Sequence, residues 1–144
     1  MGLAGSPPGP VSPHEWVESN IKNALSEGFK PEQICFGVAT YGYDWPQAKA
    51  GGYSSPTKEI LGKAKTRGVE VKWDKKFHEP YYVYKEPTTG ITREVWFESS
   101  HTLKEKIALA KKYNVGGICI WRLGFETPSF WDELGKDIGT RKSK

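Results

Sequence analysis

Cysteine is scarce in this 144-residue chain, and the two present, Cys35 and Cys119, each sit inside an apolar run. Two thiols so placed favour buried free thiols over a disulfide framework. No apolar run reaches the roughly 20 residues needed to cross a bilayer, so no membrane partner is expected. The opening Met1-Gly-Leu-Ala-Gly-Ser-Pro-Pro-Gly-Pro10 lacks the charged region and apolar core of a signal peptide, so the chain as written carries no export address. Charge of one sign is thin as well. The net charge is +4, and the terminal Arg141-Lys-Ser-Lys144 alone holds three positive charges. The stretch from Lys58 to Lys76 has seven basic residues against three acidic ones. Neither is dense enough for a nucleic-acid surface and no nucleic-acid motif accompanies them, so both read as solvated. Histidine is limited to His14, His78 and His101, scattered without ligand spacing, and the sequence predicts neither a metal nor a cofactor.

Aromatic residues are plentiful. They make up 13% of the chain, with six Trp and seven Tyr, types that enrich where apolar contact is combined with hydrogen bonding, as in interfaces and ligand grooves. The length suits one domain with a sizeable core.

Residues 1 to 11 are rich in Gly and Pro and read as loop. A helix is predicted from Ser12-Pro13-His14-Glu15, with Ser12 as cap and Glu15 closing a capping box. Val17, Ile21, Ala24 and Leu25 give it an apolar face, and Gly28 stops it. Ile34 to Thr40 reads as a strand with Ile34, Phe36 and Val38 on one face and Cys35, Gly37 and Ala39 on the other. Large residues outside and small ones inside suit a barrel strand, though a sheet covered unequally by helices gives the same pattern. Tyr41-Gly-Tyr-Asp-Trp-Pro46 follows at its carboxyl end.

Beyond a loop at 47 to 54, a second helix is predicted from Ser55-Pro56 to near Gly68, burying Ile60, Leu61 and Ala64. Val69 to Asp74 alternates as a half-exposed strand, and Tyr81–Tyr84 and Ile91–Phe97 flank Pro87-Thr-Thr-Gly90 as a hairpin. The block from about 50 to 98 therefore reads as a small α+β unit. A third helix begins near Ser100 to Thr102, with Thr102 and Glu105 as capping box, Leu103, Ile107 and Ala110 inward and Asn114 as stop. Val115 to Gly124 is a nearly uncharged run that reads as a strand buried on both faces, with Ile118 and Ile120 opposite Cys119 and Trp121. A last helix from Thr127-Pro128 buries Phe130, Trp131, Leu134 and Ile138. The whole is α/β, with two buried parallel strands. A closed (β/α)8 barrel takes about 250 residues, so the two form a small open sheet or the last part of something larger.

Three segments in this order, Tyr41-Gly-Tyr-Asp-Trp45, Val95-Trp-Phe-Glu98 and Gly116-Gly-Ile-Cys-Ile-Trp-Arg-Leu-Gly124, resemble the C-terminal part of a glycoside hydrolase family 18 barrel. The likeness is greatest to the bacterial spore-cortex branch, typified by cortical fragment-lytic enzymes, and covers nearly all of residues 1–144 as a partial catalytic domain. It implies that Ile34–Thr40 and Val115–Leu123 are strands seven and eight of a TIM barrel, and that 50–98 is the inserted α+β subdomain walling the sugar groove. It also implies that Trp121 floors the reactive sugar, with Tyr41, Tyr43 and Trp45 as further substrate-binding residues. The implied partner is an N-acetylglucosamine-containing glycan, peptidoglycan or chitin-like.

One departure matters. The family's acid closes an Asp-x-x-Asp-x-Asp-x-Glu motif, and the four aspartates here, Asp44, Asp74, Asp132 and Asp137, do not form it; the family's Met-x-Tyr-Asp segment is also missing. Substrate-assisted hydrolysis needs such an acid, so no catalytic residue is assigned and this chain alone is expected to be inactive. Glu98 and Glu126, near strand ends, are the weaker alternative as a catalytic pair. Arg122 is expected on the helix-packed side, paired with Glu126 or Asp132. The rival readings are a non-catalytic glycan-binding or cell-wall-associated module and a truncated, inactive product. With two parallel strands uncovered at their edges, self-association or docking of the missing barrel half is expected.

Overall fold

The computed structural model describes residues 5–47 and 49–137, so Ile138 and the basic tail lie outside the described residues. Helix α1 (His14–Ser26) leads to strand β1 (Cys35–Ala39), which runs at once into β2 (Tyr41–Pro46). There follow β3 (Tyr53–Pro56), α2 (Thr57–Arg67), β4 (Lys72–Asp74), β5 (Glu79–Lys85) and β6 (Thr92–Phe97). Helix α3 (Ser100–Lys112), β7 (Gly117–Trp121) and α4 (Pro128–Asp137) complete the described chain.

These elements form two sheets. β1 and β7 pair in parallel, from Cys35 opposite Gly117 to Ala39 opposite Trp121. The other sheet has the order β3-β2-β6-β5-β4, every neighbour antiparallel. Tyr41–Pro46 is thus a strand of the α+β unit rather than a tail on β1, and the unit's sheet starts nine residues before position 50. Only Lys72–Asp74 of the expected 69–74 strand pairs; Val69 packs instead against the core beneath α2.

The cores follow the sheets. Ile60 and Ala64 of α2 pack on Tyr82, Tyr84, Val95 and Phe97, closing the α+β unit. On the other sheet, Val38 meets Leu103, Ile107, Phe130 and Leu134, while Val17 and Ile21 meet Leu109. Phe36 joins both of these groups. Helices thus cover one face of the β1–β7 pair. Its other face is open: Cys35, Gly37, Cys119 and Trp121 are exposed, against the expectation of burial on both sides. The reason is geometric, since two strands cannot curl round to cover their own inner face. The two cysteines are likewise exposed rather than buried, with Sγ atoms 2.8 Å apart on neighbouring strands. Trp131 is another correction, being 43% exposed while Phe130 is buried.

The caps differ in detail. Pro13 precedes α1 with no side-chain cap bond, because the Ser12 hydroxyl is engaged elsewhere. Helix α3 is capped by Ser99, whose Oγ accepts from the His101 and Thr102 N–H groups while Thr102 Oγ1 accepts from Ser99 N–H. Glu105 is free of that duty and faces histidines. Gly68 ends α2 in the left-handed region (φ 64°), donating to Ala64 and Lys65 carbonyls, a conformation that favours glycine.

Gly42 is required for another reason. A Cβ there would lie 2.3 Å from the Trp96 carbonyl oxygen and 2.3 Å from Phe97 Cβ, where β2 lies on β6. Gly42→Ala is therefore expected to cost about 2–3 kcal/mol, the upper part of the range for overpacking, measurable by urea denaturation.

Candidate functional site

The site region lies where β1 and β7 end side by side. Thr40, buried just past β1, locks the two ends: its N–H donates to the Trp121 carbonyl at 2.9 Å and its hydroxyl to the Arg122 carbonyl at 2.8 Å. The α+β unit is tied to the same point. Thr57 N–H donates to the Thr40 carbonyl, Thr57 Oγ1 to the Glu98 carbonyl and Glu98 N–H to the Tyr41 carbonyl. Trp121 thus stands on a fixed backbone while its indole is 68% exposed. An exposed large aromatic on a rigid strand end presents a flat apolar face with one N–H donor at its rim.

Three aromatics alternate along β2, all on the face away from Asp44 and α2. The Tyr41 and Tyr43 rings meet edge-on at 5.8 Å, and Tyr43 meets Trp45 at 5.2 Å. Tyr41 and Trp121 share one hollow of about 390 Å³ with Ala39. Burial first, then the neighbouring Tyr43 and Glu98, raises the Tyr41 phenol above its ordinary value, so it is a neutral hydrogen-bonding group at physiological pH. Tyr43 is half-buried. Trp45 is fully buried, and Gly52 lies so close that a Cβ there would stand 2.4 Å from the indole. It has no surface to offer a ligand here; the expected sugar contact is a packing residue of the α+β unit. Trp96, stacked on Tyr81 at 4.7 Å and opposite Tyr43 in the sheet, extends this aromatic face. Trp96 lies in the Val95-Trp-Phe-Glu98 segment that carries part of the resemblance, but sequence reading assigns it no binding role.

The hollow has a further property. Phe36 and Val38 line it together with Gly37 and Ala39, residues from both faces of β1. Only a cavity running along the strand's unpaired edge can touch both faces. The opposite edge of the pair has its counterpart, about 250 Å³, lined by Gly117 and Ile118 of β7 with Ile107 and Leu134. Hollows therefore border β1 along its free edge and β7 at its first two residues.

The carboxylates flagged by position are each engaged through Oε1, while the Oε2 atoms of both are buried without a hydrogen-bond partner among the described residues. Glu98 is 1% exposed and paired with Lys106, itself 2% exposed. Ser12 Oγ donates to Glu98 at 2.5 Å and accepts from Lys106 Nζ at 2.5 Å. Glu79, fully buried beside them, accepts from the Val11 and Ser12 N–H groups at 2.7 and 2.6 Å. Burial, then the Glu98 charge, pushes Glu79 up to about 8 against the pull of Lys106 and the two N–H donors. This cluster seals Glu98 away from any ligand. Glu126 accepts from the Trp131 indole at 3.1 Å, and Arg122 lies over the Phe125 ring at 4.3 Å rather than pairing with Glu126 or Asp132. Neither carboxylate lines the hollow that Trp121 and Tyr41 share. A hydrogen bond shared with Cys119, aided by burial, raises the Cys35 thiol, which disfavours the thiolate that a nucleophile needs. The three histidines do converge, around Glu105, where sequence spacing gave no hint of a cluster.

Comparison with known proteins gives a consistent picture. The model of the glycosyl hydrolases family 18 matches residues 3–126. The cortical fragment-lytic enzyme of Bacillus anthracis is 32% identical over 149 residues, covering 98% of this chain and 33% of its own length. Among solved structures, the Bacillus cereus spore cortex-lytic enzyme SleL superposes with a TM-score of 0.87 at 28% identity, over 95% of this chain and 32% of that one. A chitinase from Chromobacterium violaceum gives a TM-score of 0.87 at 26% identity, over 98% of this chain and 44% of that one. The chain thus spans about a third of the length of the curated relatives it matches.

Proposed function

The chain belongs to glycosyl hydrolase family 18, and from that premise we propose that it supplies the sugar-binding floor of a hydrolase acting on N-acetylglucosamine-containing glycans, peptidoglycan or chitin-like, without supplying the acid. It matches the C-terminal part of a (β/α)8 barrel. The observation that carries the proposal is Trp121, 68% exposed at the carboxyl end of a parallel strand, the end at which barrel enzymes place their sites. The apolar face of a pyranose stacks on its indole. Tyr41, in the same hollow, hydrogen-bonds the sugar from the side, and Tyr43 backs Tyr41. Trp45 has no direct part.

The acid belongs to barrel strands that this chain does not contain, and the hollows bordering β1 and β7 are the seats of their neighbours. Unpaired edges beside apolar hollows also favour pairing with a second copy, so the chain by itself is expected to self-associate. A non-catalytic glycan-binding module would use the same aromatics, and the two readings part only over chemistry.

The test uses the purified chain with chito-oligosaccharides and muropeptides, followed by tryptophan fluorescence, and a chromogenic N-acetylglucosaminide for activity. Saturable binding without turnover is expected. Turnover that Glu126→Gln or Glu98→Gln abolishes would overturn the assignment of no catalytic residue. Silence at millimolar ligand would sink the binding reading.

A further inference from the structure

All three histidines of this chain, 64 and 23 residues apart in sequence, gather on one carboxylate. Glu105 of α3 directs Oε2 at His14 Nδ1 (4.0 Å) and His78 Nδ1 (3.5 Å), while its Oε1 faces His101 Nε2 at 3.9 Å. The His14 and His78 rings stack at 4.8 Å, and His101 stacks on Trp73 at 4.0 Å. We propose that His14, His78 and Glu105 form a binding site for a divalent transition-metal ion of the zinc class, bridging the α+β unit and the helices that cover the barrel strands.

The donor set is the first argument. Two imidazoles and a carboxylate are borderline ligands that suit zinc and its neighbours in the transition series, and leave a fourth position for water or a further donor. The spacing is the second. Donor atoms about 2.1 Å from a tetrahedral ion stand about 3.4 Å from one another. His78 and Glu105 already have that separation at 3.5 Å, His14 lies 4.0 Å from the same oxygen, and all three donors fall within 4.8 Å of one another. A closure of about half an ångström on the Glu105 oxygen, and of up to about 1.4 Å between the two imidazole donors, would bring the three to the separation this geometry requires.

The third argument is what the protein leaves undone. His14 Nδ1 is buried and has no hydrogen-bond partner among the described residues, and it lies 4.0 Å from the Glu105 carboxylate, beyond hydrogen-bond reach. The backbone under it is fixed: His14 N–H donates to the Phe77 carbonyl at 3.1 Å. Asp74 Oδ1 accepts from Lys76 and Phe77 N–H groups at 2.8 Å each, shaping the turn that presents His78. His78 itself holds φ at 56°, uncommon outside glycine and frequent at ligand clamps. The side chains are 21%, 38% and 32% exposed, so an ion can enter from solvent. The cluster shares no residue with the hollow under Trp121. The ion would therefore staple the two layers rather than touch a sugar.

The full chain, stripped with EDTA, is titrated with zinc chloride and cobalt chloride and followed by calorimetry, visible absorption and thermal melting. One ion per chain is expected, with the visible bands of tetrahedral cobalt. Tm should rise on the order of 10 °C at zinc a hundredfold above Kd. His78→Asn, which tolerates the left-handed backbone, and Glu105→Gln should each weaken binding at least tenfold while their metal-free far-ultraviolet circular dichroism is unchanged. Absence of saturable binding, or a Kd that neither substitution moves, overturns the proposal; the outcome does not depend on sugar binding.

Discussion

Lys106→Met will cost the chain about 3–5 kcal/mol of unfolding free energy, the range for removing one partner of a buried ion pair. Lys106 sits in α3 with 2% exposure, and Glu98, at the end of β6, has 1%. Its ammonium is the counter-ion to Glu98 and donates also to Ser12 Oγ. Without it, Glu98 keeps the Ser12 hydroxyl alone, while its second oxygen, already buried without a hydrogen-bond partner among the described residues, gains nothing. Glu79, packed against Glu98 and raised by it, then shares a closed space with an uncompensated carboxylate. The cluster joins the Val11–Ser12 segment, β5, β6 and α3, so its failure separates the α+β unit from the helical layer. Lys106→Met combined with Glu98→Gln should recover more than half of the loss, because neutral groups do not demand a counter-ion. Urea denaturation of the three variants measures this. A single-variant loss below 1 kcal/mol would mean that the pair is not desolvated.

Much of this was legible in sequence, and the particular failures have physical causes. The strand Ile34–Thr40 read correctly because alternating large and small side chains report two faces directly, and Gly28, Gly68 and Asn114 marked helix ends through their left-handed backbone. Tyr41–Pro46, placed by the sequence only as following β1 at its carboxyl end, is a strand of its own. Its alternation serves a second sheet, and one residue, Thr40, separates two strands with different partners. Ser12 read as a helix cap because Ser-Pro at a helix start has that meaning locally, whereas its hydroxyl serves Glu98 and Lys106, 86 and 94 residues away. No local pattern encodes such a contact. The histidine cluster was invisible for the same reason, since its members come from α1, the β4–β5 turn and α3.

The open face and free edges of β1–β7 explain why sequence pattern overstated burial at Val115–Gly124. An apolar strand advertises the environment of the fold it belongs to, and a chain spanning about a third of its relatives' length contains only part of that environment. The helix-facing half, Phe36, Val38, Ile118 and Ile120, finds its partners in α1, α3 and α4. The inward half, Cys35, Gly37, Cys119 and Trp121, faces the space that a closed barrel fills from other strands. The core of the α+β unit is closed by contrast, with five strands covered by α2 and a buried Asp44 accepting from Arg93, Tyr53 and Tyr84 at 2.7, 2.9 and 2.8 Å.

Two tryptophans marked together by the sequence should therefore behave in opposite ways. Trp45→Ala is expected to destabilise the chain by about 3–5 kcal/mol, the range for truncating a buried large aromatic, because Trp45 is fully enclosed beneath Gly52. Trp121→Ala should leave stability within about 0.5 kcal/mol, as for a surface change, since two-thirds of that side chain already faces solvent. Its cost should fall on binding. Loss of a central aromatic contact of about 2 kcal/mol weakens an oligosaccharide roughly thirtyfold, and the fluorescence response to ligand should vanish with it. Urea denaturation and ligand titration of both variants separate the two roles. A stable Trp45→Ala chain that no longer binds would return Trp45 to the groove. A Trp121→Ala chain with undiminished binding would remove the indole from the floor and with it the observation that carries the proposed site, the 68% exposure of Trp121.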